Sequence, residues 1–199
     1  MLKKEATAST GGLSKPSKMP GPAHNLPAWK CITGVKLQAV KNSVCAGCYA
    51  MKGRYRFNNV KAALDRRLQA LEDPRWVEAM IILIKPHKWF RWHDSGDLQS
   101  MKHLNNIFKV CRATPGTKHW MPTREAQFLK QIKPEEVPEN LIIRFSSHMV
   151  DQGPVSFWPW TSTVSTGDKT CPAAEQENEC RDCRACWDRS TANVTYGKH

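Results

Sequence analysis

Four cysteines crowd the segment CPAAEQENECRDCRACW, which spans residues 171–187. Their spacing is Cys171-x8-Cys180-x2-Cys183-x2-Cys186, and Glu, Asn, Asp and Arg surround the thiols, so packing in an apolar core does not explain the grouping. Three cysteines with two-residue gaps can wrap one corner of an iron–sulfur cube, and Cys171 would supply the fourth thiolate. The spacing favours a 4Fe–4S cluster. A tetrahedral zinc site is the alternative. Unliganded thiols are the least favoured interpretation, because four exposed free cysteines would be open to oxidation.

A second group combines Cys31 with the pair Cys45 and Cys48 in the stretch SVCAGCYA. Three thiolates on a four-iron cluster would leave one iron open to a small-molecule cofactor or substrate. Two alternatives remain: zinc bound by the thiolates and a histidine, with His24 close in sequence, or a redox-active dithiol that leaves Cys31 unexplained. We expect this group to contribute to a second metal site, or to share one metal with the C-terminal group.

The eighth cysteine, Cys111, stands apart from both groups. It lies on the apolar face of a predicted helix together with Leu104, Ile107 and Phe108. Free cysteine is commonly buried as a small hydrophobic residue. We therefore expect this thiol to pack in the core and to take no part in chemistry.

The turn HDSGD at residues 93–97 carries the other candidate chemistry. Asp97 could bind an amine, and His93 could move a proton because the unperturbed pKa of imidazole is near neutrality. These two are the candidate catalytic residues. The alternative is a structural turn in which Asp94 and Ser95 hydrogen-bond their own backbone.

Helical and strand patterns alternate through the middle of the chain. The predicted helices lie at 58–71, 76–84, 100–111 and 124–132, and the predicted strands at 88–92, 118–121, 141–147 and near 160–165. This alternation predicts an α/β fold with a parallel sheet or partial (βα) barrel. Polar loops follow three of the strands, and the carboxyl ends of parallel strands share one edge. We expect cysteine-rich metal-binding segments near both ends of the chain to meet that edge.

The length of 199 residues predicts a single domain. Residues 1–28 are rich in Lys, Ser, Gly and Pro and are expected to form an extended or disordered arm, followed by one α/β domain over 29–199 with the cysteine-rich loop 171–187. No run of about 20 apolar residues occurs, and the start lacks the apolar segment of a secretory signal. We therefore expect no membrane partner and a reducing cytoplasmic location, which favours metal binding over disulfides.

The chain is strongly basic: 30 Lys and Arg against 18 Asp and Glu give a formal net charge of +12. Such a charge fits nucleic acid or another polyanion. The basic residues are spread along the chain without a block of five or six, so we do not favour a nucleic-acid partner. The eight tryptophans could stack on bases, but core packing and shielding of a cluster, by Trp187 directly after Cys186, explain them more simply. No pattern indicates the oligomeric state.

Four motifs resemble the phage gene-product-88-like proteins. They are KMPGPAHNLPAWKC, CAGCYAMKGRYRF, RWHDSGDLQS and CPAAEQENECRDCRACW, in that order from residue 18 to residue 187. The resemblance implies a bacteriophage protein, located in the host cytoplasm, that carries an iron–sulfur cluster. It implies no particular reaction.

The chain also has a more distant resemblance to radical SAM enzymes, whose partial barrel carries a cysteine loop after its first strand. Here Cys45-x2-Cys48 precedes a helix and then a strand that ends in Ser95-Gly96-Asp97. The resemblance implies S-adenosylmethionine as a cofactor and these last three residues as the turn that binds it.

Two features depart from the radical SAM pattern. Lys41 occupies the position of the first cysteine, so Cys31 would have to substitute for it, and no convincing strand precedes the loop.

Three classes of function therefore remain: a redox or radical enzyme, a zinc-stabilised nucleic-acid-binding module, and a non-catalytic electron-transfer or regulatory iron–sulfur protein.

Overall fold

The computed structural model describes residues 1–198 as helices and strands joined by loops and short 3₁₀ turns. The helices are α1 Lys3–Thr10, α2 Ile32–Gln38, α3 Asn58–Ala70, α4 Trp76–Ile84, α5 Met101–Ala113 and α6 Ala126–Leu129. The strands are β1 Ala23–His24, β2 Trp89–Trp92, β3 Lys118–Thr123, β4 Leu141–Ser146, β5 Thr161–Ser165 and β6 Asn193–Gly197. His199, the last residue of the predicted domain, lies outside the described residues. None of the helices in residues 1–198 combines the length and apolar character that crossing a membrane requires.

The strands form one sheet in chain order, β1 to β6, and every neighbouring pair is parallel. The predicted α/β class and parallel sheet are therefore confirmed. Side chains alternate between the two faces of a sheet. One face, with Phe90, Trp92 and Met121, packs in the main hydrophobic core with helices α4 and α5. The opposite face presents Arg91 and Trp120, which are register partners on neighbouring strands.

The longer predicted elements are confirmed with small shifts at their ends. Helices α3, α4 and α5 and strands β2 to β5 all lie where the periodicity places them, and Cys111 is fully buried in the helical core. The predicted helix at 124–132 shortens to α6. Sequence reasoning missed α1, β1, α2 and β6, because each is too short or too rich in small and polar residues to give a periodic apolar pattern.

The prediction of an extended or disordered arm over residues 1–28 is corrected by helix α1 and strand β1. The small residues Ala6 and Thr10 are fully buried, and Ala6 packs against Ala79 and Leu83 of α4. A segment rich in small residues resembles a disordered segment in composition. In the folded chain, the same small side chains allow helix α1 to lie close to helix α4. Strand β1 then pairs with β2, so a strand does precede the first cysteine loop. The boundary between arm and domain stays a prediction.

Four histidines are buried on the helical side of the sheet or at its edge: His24, His93, His103 and His119. Burial lowers the pKa of His24 to about 4 and the pKa values of His103 and His119 to about 3. Burial likewise places the pKa of His93 well below its ordinary value. The folded chain therefore holds these four rings neutral at pH values where an unfolded chain would protonate them.

We expect the free energy of unfolding to fall as the pH drops below about 6.5. The stabilisation is complete above the unfolded pKa of histidine and is lost toward the lowered folded values, because only the unfolded chain takes up protons in that window. Each buried histidine should cost about 1.4 kcal/mol between about pH 7.5 and about pH 5.5. Urea unfolding at the two pH values measures the loss, and H103L should reduce it by one such increment. An unchanged loss in H103L would contradict the assignment.

Candidate functional site

The loops after β1 and β2 are joined at the carboxyl edge of the sheet. The Leu26 amide donates to the Ser95 carbonyl at 2.9 Å, and the Ser95 hydroxyl donates to the Leu26 carbonyl at 2.9 Å. Gly96 has a φ of 76°, and a Cβ on it would lie 2.5 Å from the Leu26 Cβ. Only glycine allows this approach of the two loops. Ser95 and Gly96 therefore have internal structural partners, and their predicted role in cofactor binding stays a prediction.

Asp97 joins the loop after β2 to the loop after β3. Its buried carboxylate accepts hydrogen bonds from the Leu98 amide at 2.7 Å, the Thr123 hydroxyl at 2.6 Å and the Arg124 amide at 2.8 Å. Burial raises the pKa of Asp97 to about 6, although the bonds from Thr123 and Arg124 act in the opposite direction. Three donors already engage this carboxylate, so its geometry supports a positioning role more directly than the predicted capture of an amine.

Glu125 is fully buried and positions the helix that carries the first cysteine. Its carboxylate accepts from the Thr33 amide at 2.8 Å and from the Thr33 hydroxyl at 2.7 Å. Thr33 lies in the first turn of α2, whose N-cap is Cys31. An acidic side chain stabilises the unpaired amides at a helix start. Sequence reasoning missed Glu125, and the only signal was an acidic residue directly after a strand that ends in a polar loop.

The first thiol group, Cys31, Cys45 and Cys48, lies at this edge. A Cβ on Gly34 would lie 3.6 Å from the Cys31 sulfur and 3.7 Å from the Cys45 sulfur, so the two sulfurs flank the space that this glycine leaves open. The Val44 amide donates to the His148 carbonyl at 2.8 Å, which ties the cysteine loop to the segment after β4. The structure therefore brings the Cys31 and Cys45 thiols together at the end of the parallel strands, and Cys48 follows in the same loop.

The thiols of this group affect one another electrostatically. Burial raises the pKa of Cys31, and Asp97, Cys45, Cys48 and Glu125 raise it further. Burial also raises the pKa of Cys45, and the neighbouring Arg124 opposes that shift. In the absence of a bound cation, the raised pKa values hold the Cys31 and Cys45 thiols protonated.

His93 and His24 do not join the first thiol group. The His93 ring packs at 5.4 Å from the ring of His103 on α5, and His93 has a φ of 56°. The His24 ring packs edge-on against Trp76 at 5.7 Å, and its Nε2 pairs with the Thr10 carbonyl at 3.0 Å. The structure thus gives both rings core partners, and it gives no support to a zinc site that uses His24. The catalytic role of His93 stays a prediction.

The second thiol group, Cys171, Cys180, Cys183 and Cys186, covers the face of the sheet opposite the main core. The Cys171 amide donates to the Thr195 carbonyl at 3.0 Å, and the Cys186 sulfur lies 3.1 Å from the Tyr196 hydroxyl oxygen. Both anchors are on β6. The expectation that both cysteine-rich segments meet one edge is therefore wrong, because the C-terminal segment packs over a sheet face.

Trp187 fastens this segment to the centre of the sheet. Its ring packs at 5.1 Å from Trp120 and at 5.7 Å from Trp89, and its indole N–H donates to the Phe90 carbonyl at 3.0 Å. Cys186 and Trp187 belong with Trp120 to a separate small hydrophobic cluster. The tryptophan thus covers the Cys186 side of the group, and its predicted role in shielding a cluster stays a prediction.

Arg144 is fully buried on β4 without an acidic partner among residues 1–198. Its guanidinium donates to five backbone carbonyls, at 2.7 to 3.4 Å, which belong to Thr161, Ala185, Cys186, Asp188 and Ala192. Three of these carbonyls come from the turn around Cys186. The rigid fork of arginine, with five N–H donors, suits such a cage. Arg144 therefore holds the C-terminal cysteine segment on the sheet.

Arg91 lies between the two thiol groups. Its guanidinium forms an ion pair with Asp94 at 2.9 Å and lies over the Trp120 ring at 4.4 Å. The Tyr55 hydroxyl donates to the Asp94 carboxylate at 2.7 Å, and the Tyr49 hydroxyl donates to the Asp94 carbonyl. Since Tyr49 directly follows Cys48, this chain of contacts runs from the first thiol group to Arg91.

The second thiol group is bordered by positive charge. Burial raises the pKa of Cys186 to about 11, against the lowering effects of its hydrogen bond with Tyr196 and of Arg144 and Arg91. Burial also raises the pKa of Cys180, as does Cys171, whereas Arg91 lowers it. Two arginines therefore favour the thiolate form of Cys186, and Arg91 favours that of Cys180. Burial disfavours charge on both sulfurs unless a cation is present.

The thiols are neighbours that do not yet converge on one point. All eight cysteines are free, and across residues 1–198 no three His, Cys, Asp or Glu side chains are arranged to hold a metal ion as they stand. Metal binding therefore requires the cysteine side chains to turn toward a shared centre. The donor sets suit a thiophilic metal, because each group offers only sulfur ligands.

We expect R144M to destabilise the fold by about 3–5 kcal/mol, because five carbonyls lose their donor while an unbranched apolar stem is kept. The variant should also expose Cys186, which is buried in the native chain. Urea unfolding and the rate of Cys186 reaction with a thiol reagent measure the two effects. R112M is the control, because Arg112 is exposed and donates a single bond to the Glu136 carbonyl. An unaltered Cys186 reaction rate in R144M would contradict the holding role.

Comparison with known proteins adds the family. No curated protein and no solved structure matched the chain, so the resemblance to radical SAM enzymes stays a prediction. The family model described as Gene product 88 matches residues 1–159. This match includes the first thiol group and the HDSGD turn and ends before the second thiol group. Because it covers well over half of the sequence, the chain belongs to the Gene product 88 family.

Proposed function

We propose that the protein binds iron–sulfur clusters through its two groups of cysteines. One observation carries the proposal: seven of the eight cysteines form two neighbourhoods of free thiols, in which neighbouring thiols raise the pKa values of Cys31, Cys45 and Cys180. Buried thiols of this kind are poorly placed as anions unless a cation neutralises them. A metal centre supplies that cation and makes all the thiolates stable together.

The two groups suit different tasks. The second group has four thiolates, a full ligand set for a four-iron cluster, with Trp187 excluding water beside Cys186. The first group has three thiolates, so one iron would remain open to a ligand from outside the chain. A cluster supplies one-electron transfer when bound, and the cysteines, Arg91 and Arg144 orient it and offset its negative charge. We propose electron transfer as the function, with the open site of the first group as the place of substrate contact.

Iron is favoured over zinc by the ligand spacing of the second group and by the engagement of His24 in the core. Structural zinc sites commonly join two separated pairs of ligands, whereas this run has two-residue gaps between three successive cysteines. His24, the histidine nearest the first group in sequence, is engaged in the core. Zinc at the second group is the competing outcome in the experiment.

Anaerobic purification followed by iron, sulfide and zinc analysis tests the proposal. We expect a brown protein that absorbs near 400 nm with about eight irons per chain, falling to about four when either cysteine group is replaced by serine. C111A is the control, because Cys111 is buried apart from both groups, and it should keep the full iron content. Loss of all iron from either group variant would indicate one shared site. A colourless protein with stoichiometric zinc would overturn the proposal.

The space beside Gly34 gives a finer test of the first site. We expect G34A to lose the iron of the first group only, because a Cβ there would lie 2.9 Å from the Cys31 Cβ and close to two of the sulfurs. G47A is the matched control, because a Cβ on Gly47 meets nothing within 4 Å although it lies in the same cysteine loop. Equal iron contents in the two variants, with both folded by circular dichroism, would contradict a site at this position.

A further inference from the structure

The positive charge of the chain is concentrated in its first third. Between Glu5 and Asp65 there is no acidic residue, and the intervening stretch contains nine Lys and Arg residues. This stretch therefore supplies nine of the twelve net positive charges. A count of basic residues alone does not reveal this asymmetry. The asymmetry arises because acidic residues are missing from the stretch between Glu5 and Asp65.

Seven of these basic residues lie within residues 30–61, and every one of them is exposed. They are Lys30, Lys36, Lys41, Lys52, Arg54, Arg56 and Lys61. Within residues 1–198 none of the seven takes part in an ion pair. The acidic side chains at this edge do not neutralise them, because Asp97 and Glu125 are buried and Asp94 is paired with Arg91.

The same segment carries most of the exposed large apolar side chains. Eight such side chains are exposed in the described chain, and five of them lie between residues 35 and 57: Val35, Val40, Tyr49, Met51 and Phe57. Phe57 is 58% exposed and Tyr49 is 46% exposed. Exposed aromatic rings among unpaired cations are costly for a surface that contacts only water, and they indicate an interaction surface.

We propose that residues 30–61 bind single-stranded nucleic acid. The unpaired lysines and arginines contact the phosphates, and the open rings of Phe57 and Tyr49 offer faces on which bases stack. An anionic membrane is the weaker fit, because the segment from Tyr49 to Arg56 consists of two short 3₁₀ turns and not of a long amphipathic helix. The proposal concerns the surface around the first thiol group and does not depend on a bound cluster.

Fluorescence anisotropy with a labelled oligothymidylate of about 16 nucleotides, added to the full chain, tests this surface. We expect K52Q/R54Q/R56Q to weaken binding more than tenfold at low salt and to reduce the slope of log affinity against log salt by about 2. K85Q/K109Q/K118Q is the matched control: it removes three exposed lysines from outside the segment, and the slope should stay close to that of the native chain. Equal slopes for the two triple variants would overturn the proposal.

Aromatic stacking has its own pair of variants. F57A should weaken binding about tenfold without changing the salt slope, whereas F157A removes another exposed ring outside the segment and should bind as the native chain does. No detectable binding of the oligothymidylate would overturn the proposal. Binding to phosphatidylserine vesicles in place of the oligonucleotide would also overturn it and would assign the surface to a membrane. Iron content is measured on the same variants. An unchanged iron content shows that a change in oligonucleotide binding concerns this surface and not the proposed cluster sites.

Discussion

Parallel pairing of the strands in chain order is the constraint on which the other features depend. Because each strand runs in the same direction, every loop that follows a strand emerges at one edge of the sheet. The first cysteine loop follows β1, the HDSGD turn follows β2, and Glu125 comes just after β3. Hydrogen bonds of Ser95 and Asp97 then fasten these loops to their neighbours, so the first thiol group is positioned by the sheet as a whole.

Three buried charges position the thiols, and each is compensated by hydrogen bonds and not by a partner of opposite charge within residues 1–198. Asp97 and Glu125 accept from amides and hydroxyls at the carboxyl edge, and Arg144 donates to carbonyls around Cys186. A buried charge with its hydrogen bonds satisfied is costly to disturb, since removing it leaves several polar groups without partners. The thiol groups therefore rest on polar contacts, whereas the helices on the other sheet face rest on apolar packing.

The two thiol groups differ in their electrostatic surroundings. Carboxylates adjoin the first group, and Arg91 and Arg144 adjoin the second. Within the proposed function, the second site is better suited to a negatively charged cluster, and the first would depend on an external ligand. The open, basic surface of residues 30–61 surrounds that first site. A polyanion bound there would lie beside the thiols, and because it is negatively charged it would not neutralise their thiolate forms.

The sequence by itself determined the alternation of helices and strands, the parallel sheet and the identity of the two cysteine groups, because periodicity and ligand spacing are local properties of the chain. Tertiary structure decided where the groups lie, and it placed the second on a sheet face and not at the edge. It also turned His93 and His24 into the core and buried Glu125 and Arg144 as anchors. These outcomes depend on hydrogen bonds between residues distant in sequence, such as Arg144 with Cys186, and on short elements such as β1 that have too few residues to show a period.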